Sequence, residues 1–202
     1  MKTKANHLFT VRNMTQIGIL SAVAVVLMFF EIPLFFAPAF YKIDLSEIPV
    51  LVGSFSMGPL AGVVIEAIKI LLKLLIKGST TGGVGDLGNF LVGCAYFLPA
   101  ALVYKHHKNK KGALVGTALG TALLTVLGCF MNAFVLLPVY AKVYGMPMEA
   151  LIAMGTAVNP SITGLTTFVL LAVAPFNLLK GVITSILSLL LYRHIRPILT
   201  KK

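Results

Sequence analysis

Long apolar runs, separated by short segments that carry most of the charged residues, dominate this sequence. Each long run approaches or exceeds the 17 to 25 or so residues that an α-helix needs to cross a bilayer. These runs are 14–36, 60–76, 88–104, 113–140 and 176–195. A shorter run, 46–57, ends at Gly58-Pro59. The pattern predicts an all-α integral membrane bundle.

The composition supports this class, because 58% of the 202 residues are hydrophobic and only 11% are charged. That is not the balance of a soluble domain. One membrane domain, 1–202, accounts for the length. No A-x-A-like cleavage site follows the first run, so we expect this run to remain as a span. Cys94 and Cys129 lie inside apolar runs, where small buried side chains are expected rather than a disulfide.

Basic residues are concentrated in a few segments between the runs and give a net charge of +11. Residues 1–12, 105–112 and 193–202 hold 11 of the 17 basic residues and none of the six acidic ones. The positive-inside rule predicts that all three segments are cytoplasmic. Membrane topology therefore accounts for the charge, and no nucleic-acid partner is expected.

Because these three segments share one side, the chain must cross the bilayer an even number of times between each pair. The short run 46–57 is then needed as a fourth crossing before 105–112, in spite of its length. The apolar stretch 150–175 cannot add a seventh crossing, and Asn159-Pro160 breaks its helical pattern. We therefore predict six transmembrane helices with both termini in the cytoplasm, and an outer loop with a helical piece at 141–175.

A glycine-rich stretch, GSTTGGVGDLGNF at 78–90, could in principle be a phosphate-binding loop. Such a loop needs Lys and then Ser or Thr directly after its last glycine, between a strand and a helix. Here Lys77 precedes the glycines, and no GKS or GKT occurs in the sequence. The stretch instead predicts a turn between two spans at the outer surface, with Asp86 capping the helix that begins near residue 87.

Ionisable side chains interrupt one of the apolar runs. Glu66, Lys69 and Lys73 are spaced three and four residues apart, which puts them on one face of a helix. Ionisable groups in a bilayer are costly and usually face a pocket, a partner or the interface. We expect Glu66 and Lys69 to neutralise each other inside the bundle and Lys73 to extend towards the interface.

Polar side chains also occur in the outer half of the last two runs. They are Asn132 in the fifth span, and Asn177 with Lys180 at the start of the sixth. A single intramembrane asparagine is often an interhelical hydrogen-bonding residue. An amide and an ammonium group at the same depth, however, suit a polar heterocycle better than a lipid, so these three residues predict a binding site.

Enzyme signatures are missing, since the sequence has no HExxH, CxxC or G-x-S-x-G, and its four histidines lie in the basic segments. We therefore predict that the chain is not an enzyme and holds no metal or cofactor. Small residues at every fourth position predict close helix packing. Gly112, Gly116 and Gly120 form one such seam, whereas the Gly18–Ala22 seam could equally meet another membrane protein.

Several motifs together resemble one family. They are the basic N-terminus, the first run with small residues four apart, YKIDLSEIPVLVGSFSMGPLAGVVIEAIKILLKLL at 41–75, STTGGVGDLGNFLVGCAYFLPAALVY at 79–104 and APFNLLKG at 174–181. In this combination the chain resembles the riboflavin-specific S component of energy-coupling factor (ECF) vitamin transporters. The resemblance covers most of residues 10–200.

The resemblance implies a six-helix protein of the bacterial plasma membrane that captures riboflavin from outside, with the loop 37–47 acting as a lid. It also implies docking onto a membrane coupling subunit and a pair of cytoplasmic ATPases, which fits the missing nucleotide loop. Riboflavin is then the transported ligand and not a cofactor.

The family's polar contacts to the vitamin come from the lid and from the last spans. Together with Asn89 of the glycine-rich hairpin, the predicted substrate-binding residues are Asp44, Glu47, Asn89, Asn132, Asn177 and Lys180. The family's docking seam, Ala-x-x-x-Ala in the first span, corresponds here to Gly18-x-x-x-Ala22.

Other functions stay open at this point. A stand-alone, ion-coupled carrier would need an intramembrane carboxylate, for which Glu66 is the only candidate. A purely structural membrane subunit would bind no small molecule. An S component for a different vitamin would share the architecture and differ only in its ligand.

Overall fold

The computed structural model describes residues 10–38 and 40–200 of the protein, and side chains as far as residue 194. Lys2, Lys4, Lys201 and Lys202, on which the predicted sidedness partly depends, lie outside the described residues. The described part is an all-α bundle with one short hairpin, which confirms the all-α part of the prediction.

The helices follow the apolar runs closely. They are α1 (Val11–Phe29), α2 (Glu47–Met57), α3 (Pro59–Lys77), α4 (Val84–His106), α5 (Lys110–Met131), α6 (Leu137–Val143), α7 (Met148–Thr156), α8 (Leu165–Phe168) and α9 (Ala174–Thr200). Between α1 and α2, the strands β1 (Ile32–Pro33) and β2 (Lys42–Ile43) pair antiparallel, with Ile32 opposite Ile43.

Side-chain caps and glycines set several of these boundaries. The Thr10 hydroxyl accepts the Asn13 N–H at 3.3 Å to start α1, and the Asn109 side chain accepts the Gly112 N–H at 2.7 Å to start α5. Gly58 has a φ of 103°, which lets α2 end and α3 begin at the next residue, Pro59.

Within the described residues, four helices are long and apolar enough to cross a membrane. They are Val11–Phe29, Val84–His106, Lys110–Val143 and Leu165–His194. Multiple helices of this kind make the chain a multi-pass membrane protein. The two further predicted crossings, α2 and α3, are not among these four helices. α2 has only 11 residues, and α3 carries Glu66 and three lysines.

Two π-helical turns join successive α-helices into continuous helical stretches. The turn Asn132–Leu136 links α5 to α6, and the turn Val169–Val173 links α8 to α9. The final helical stretch therefore begins at Leu165 and not at the predicted residue 176. A proline lies just after each turn, at Pro138 and Pro175, where the shifted hydrogen bonding of a π turn accommodates the missing N–H.

The glycine seam on α5 packs against α4, as its spacing predicts. A Cβ atom at Gly116 would lie 2.7 Å from the carbonyl oxygen of Ala100, and Gly120 faces the backbone of Tyr96 even more closely. The two helices are thus in backbone contact, which larger residues at these positions would prevent. This tight packing holds α4 and α5 together beneath the candidate site.

Candidate functional site

A cavity of about 650 Å³ opens at one end of the bundle, within the range of roughly 300–1,000 Å³ that is typical of small-molecule sites. Its walls come from the ends of α1, α3 and the helical stretch 110–143, and from the starts of α4 and α9. The basic loop between α4 and α5 contributes nothing to this lining. Five of the six predicted substrate-binding residues line the cavity: Asp44, Asn89, Asn132, Asn177 and Lys180.

Two of these residues are buried asparagines next to the π-helical turns. Asn132 donates its amide N–H to the carbonyl of Gly128 at 2.8 Å, and Asn177 donates to the carbonyl of Val173 at 2.9 Å. Each side-chain amide therefore donates to a backbone carbonyl of its own helix, near the point where the backbone changes between α-helical and π-helical hydrogen bonding. Gly128 also leaves room for Asn177, since a Cβ there would lie 2.6 Å from its Nδ2 atom. π turns of this kind frequently occur at functional sites.

Lys180 and Asp44 form an ion pair at the cavity wall. The Lys180 ammonium donates to Asp44 Oδ2 at 3.2 Å, and their side chains are 14% and 13% exposed. Burial raises the pKa of Asp44, but the positive charges of Lys180 and Lys69 outweigh it and lower that pKa to about 2. Asp44 is therefore a carboxylate that joins the loop before α2 to the start of α9.

Tyr41, which sequence reasoning missed, covers the asparagine side of the cavity. Its hydroxyl donates to Asn132 Oδ1 at 2.6 Å, and its ring lies 5.1 Å from that of Phe176. Only 7% of Tyr41 is exposed. The neighbouring Phe40 packs on Tyr140 across the cavity, with ring centroids 6.3 Å apart. The aromatic residues just after the first span were the sequence signal that could have predicted a segment covering the cavity.

Glu47 does not line the cavity. It lies at the start of α2, where Lys69 donates to its Oε1 atom at 2.8 Å. Lys69 also lies 2.7 Å from Glu66 Oε2, so the predicted Glu66–Lys69 pair is confirmed and Glu47 joins it. All three side chains are buried. Glu47, although predicted to bind the substrate, therefore belongs to an ionic cluster behind the cavity. We call this group of Glu47, Glu66 and Lys69 the sealed cluster.

Lys73 lines the cavity and forms an ion pair with Asp86, whose side chain is 4% exposed. It also donates to the carbonyl of Gly78 at 3.2 Å, just beyond the end of α3. That Lys73 extends towards the membrane interface stays a prediction. The prediction that Asp86 caps its helix is wrong, because α4 already begins at Val84 after Gly83 and Asp86 lies within its first turn.

A network of exposed ion pairs lies at the cavity mouth. Glu31, just beyond α1, accepts from Lys42 of β2 at 2.8 Å and from Lys77 at the end of α3 at 3.0 Å. The hydrogen bond from Lys42 lowers the pKa of Glu31. These contacts tie the hairpin to two helices. Asn89 lies on α4 in an exposed position at the same mouth.

Gly18 and Ala22 do not line this cavity. Both are exposed on one face of α1, and a Cβ at Gly18 would meet nothing within 4 Å. The seam is therefore unused for packing among the described residues. In that same part of the chain, no group of three or more His, Cys, Asp or Glu residues is arranged to hold a metal ion.

Comparisons with known proteins agree on one family. The family described as "ECF transporter, substrate-specific component" matches residues 12–192. The chain is 33% identical over 190 residues to the riboflavin transporter RibU of Staphylococcus aureus, covering 94% of this chain and 93% of that protein. It is 34% identical over 188 residues to the riboflavin transporter FmnP of Bacillus subtilis, covering 93% of each.

A solved structure leads to the same family. The structure reported as the S component of a bacterial ECF transporter matches with a TM-score of 0.72 and 32% identity. The match covers 93% of this chain and 97% of that one.

Proposed function

Since the chain belongs to the family of substrate-specific components of ECF transporters, we propose that it binds riboflavin from outside the cell and releases it inward with the help of partner subunits. The partners are a membrane coupling subunit and two cytoplasmic ATPases. The observation that carries this proposal is the cavity, which combines aromatic rings with a few buried amide, ammonium and carboxylate groups. Such a lining suits a flat heterocycle with a hydroxylated side chain.

Within the cavity, apolar contact supplies most of the affinity and polar groups fix the orientation of the ligand. Phe176 and the lid residues Phe40 and Tyr41 would pack on the isoalloxazine ring. Asn177 and Lys180 would meet its polar edge or the ribityl hydroxyls. Asn132 is already engaged by Tyr41, so the ligand either contacts this pair together or displaces the tyrosine hydroxyl.

The segment 37–47 acts as the lid in this proposal. Two contacts support this role: Tyr41 reaches Asn132, and Asp44 reaches Lys180. Opening the lid would separate both pairs and expose the cavity. Closing it over riboflavin would exclude water, which strengthens each polar contact to the ligand.

The proposed topology has six crossings, with the short α2 and the charged α3 as two of them. The tail 1–12, the loop 105–112 and the C-terminus are then cytoplasmic, and 141–175 lies outside. Exposed Thr80 and Lys108 test this, in a background without Cys94 and Cys129. A cysteine at residue 80 should react with an impermeant reagent on intact cells, and one at residue 108 only after lysis. The reverse pattern would contradict the topology.

The coupling subunit is proposed to dock on the Gly18–Ala22 face of α1. Gly18→Leu should block co-purification with the coupling subunit and leave riboflavin binding unchanged, because its side chain meets no other part of this chain. Ala118→Leu, at an exposed position on α5, is the matched control and should do neither. Normal assembly of the Gly18→Leu variant would exclude this face.

Binding itself is tested with purified protein in detergent. Riboflavin fluorescence should be quenched on binding, and thiamine, a vitamin with a different ring system, should not compete. Uptake into vesicles should require the coupling subunit and ATPases together with ATP. Competition by thiamine would favour a different vitamin, and uptake without partners would favour an ion-coupled carrier.

A further inference from the structure

The sealed cluster behind the cavity contains more carboxyl groups than cations. Lys69 lies between Glu47 and Glu66, at 2.8 Å and 2.7 Å from one oxygen of each. The adjoining Asp44–Lys180 pair is balanced. With every group ionised, three carboxylates would face two ammonium groups, which leaves one negative charge buried in the bundle.

An unbalanced charge at this place is costly. The side chains of Glu66 and Lys69 are 0% and 1% exposed, so water does not reach them. A buried charge without a counter-charge is strongly destabilising, and a carboxyl group in that situation normally takes up a proton. The cluster therefore requires one more positive charge than its lysines supply.

The hydrogen bonds indicate which carboxyl group takes up that charge. Glu47 Oε1 accepts a hydrogen bond from Lys69 and only Glu47 Oε2 is left without one, whereas Glu66 meets the same ammonium through Oε2 at 2.7 Å outside hydrogen-bond geometry, and its Oε1 has no donor among the described residues. A carboxylate that accepts fewer hydrogen bonds is a poorer site for negative charge. The two carboxyl groups also meet above Gly93, where a Cβ would lie 2.7 Å from Glu66 Oε1 and 3.0 Å from Glu47 Oε1.

The charged and titratable groups around Glu66 come from every neighbouring element. They are Glu47 on α2, Lys69 and Lys73 on α3, Asp86 and Cys94 on α4, Lys180 on α9 and Asp44 before α2. Lys73 is neutralised by Asp86. A metal cation is disfavoured, because the Lys69 ammonium already occupies the position between the two carboxyl groups.

We propose that Glu66 holds a resident proton in the folded protein, so that the buried cluster of three carboxyl groups and two lysines is electrically neutral. The proton comes from solvent and forms the O–H bond of a carboxylic acid. It stays in place and is not carried with the substrate. Glu66 itself does not line the cavity, so the test of its proton does not depend on riboflavin binding.

Infrared spectroscopy tests the proposal directly. The wild-type protein, in a detergent without ester groups and stripped of lipid, should show the carbonyl band of a protonated carboxylic acid at neutral pH. Glu66→Gln should remove this band, and the exposed Glu149→Gln should keep it. A wild-type spectrum without the band, or a band that persists in Glu66→Gln, would overturn the proposal.

Thermal unfolding then assigns the proton to one of the two glutamates. Glutamine resembles a neutral carboxylic acid, so Glu66→Gln should unfold at the same temperature as the wild type or higher. The difference in unfolding temperature between Glu66→Gln and the wild type should grow as the pH rises, because the folded wild type then holds the proton of Glu66 less readily. Glu47→Gln, which loses the carboxylate that accepts from Lys69, should unfold at a lower temperature. The opposite ranking, or failure of Glu66→Gln to fold, would overturn the assignment to Glu66.

Discussion

Two neighbouring groups of ion pairs in this protein consist of lysines and carboxylates but differ in their access to the cavity. Asp44 and Lys180 line a cavity, and each is about one-seventh exposed. Lys69, Glu47 and Glu66 lie just behind them and are almost fully buried. The first pair joins a loop to a helix, and in the proposed function its members can contact the ligand. The second group joins α2 to α3 and has no access to a ligand.

Closeness in the sequence therefore does not distinguish a residue that lines the cavity from one that holds helices together. Glu47 and Asp44 are three residues apart in the sequence and share the same motif, yet only Asp44 lines the cavity. What separates them is whether solvent, and hence a ligand, can reach the group. Substitutions in the two groups should therefore affect different measurements.

The largest effect is expected for Lys69→Met. This change leaves Glu47 buried without its cation, and breaking a buried ion pair costs about 3–5 kcal/mol. We expect a low yield of folded protein and a strongly lowered midpoint of thermal unfolding. Lys180→Met is the matched control at the cavity, and it should fold nearly normally. Equal stability of the two variants would remove the distinction between the groups.

Partners of this kind could not be read from the sequence. The pair Glu66–Lys69 was predictable because its members are three residues apart on one helix. Lys69 and Glu47 are 22 residues apart, and Lys180 and Asp44 are 136 apart. Only the packing of helices brings them together, and hydrophobic periodicity does not specify that packing.

The span positions, by contrast, were largely predictable. Hydropathy identified the long helices, and Asn177 and Lys180 were predicted to lie at the same depth near the start of the last span. The start of the final stretch at Leu165 was missed for a local reason. The Thr167 hydroxyl accepts the N–H groups of Thr163 and Gly164, at 2.9 Å each, which starts a helix there. The π turn then carries this helix past Pro175 and into the predicted run 176–195.

Glycine substitutions next to the cluster and next to the cavity should have the second-largest effects. Gly93→Ala would press a methyl group onto Glu66 and Glu47, and overpacking of this kind costs about 1–3 kcal/mol of stability. Gly128→Ala would instead press on Asn177, which can move into the cavity. We expect a lowered unfolding midpoint for the first variant and weaker riboflavin binding for the second. If Gly93→Ala instead weakened riboflavin binding and Gly128→Ala lowered the unfolding midpoint, the cluster and the cavity would have been assigned the wrong roles.

Single polar substitutions at the cavity should weaken binding without unfolding the protein. Asn177→Ala and Lys180→Ala each leave a buried polar group of the ligand without a partner. The cost is typically about 1–3 kcal/mol, or roughly 5- to 150-fold in affinity. Titration with riboflavin, followed by fluorescence quenching, measures this loss. Lys108→Ala in the exposed loop between α4 and α5 should bind normally, and normal binding by both cavity variants would exclude this wall as the site.

The smallest effect is expected at the cavity mouth, where Glu31 holds Lys42 and Lys77. These groups are one-third to one-half exposed, and an exposed ion pair contributes only about 0.2–1 kcal/mol. Because Lys42 belongs to the hairpin and Lys77 to α3, Glu31→Gln should loosen the lid and raise the dissociation rate of riboflavin by at most about fivefold. Stopped-flow displacement measures that rate, with Glu149→Gln as the control. High salt should reproduce the effect in the wild type, because it screens exposed pairs and leaves the sealed cluster intact. A salt-independent rate that is also unchanged in Glu31→Gln would show that the lid is held by Tyr41 and Asp44 alone.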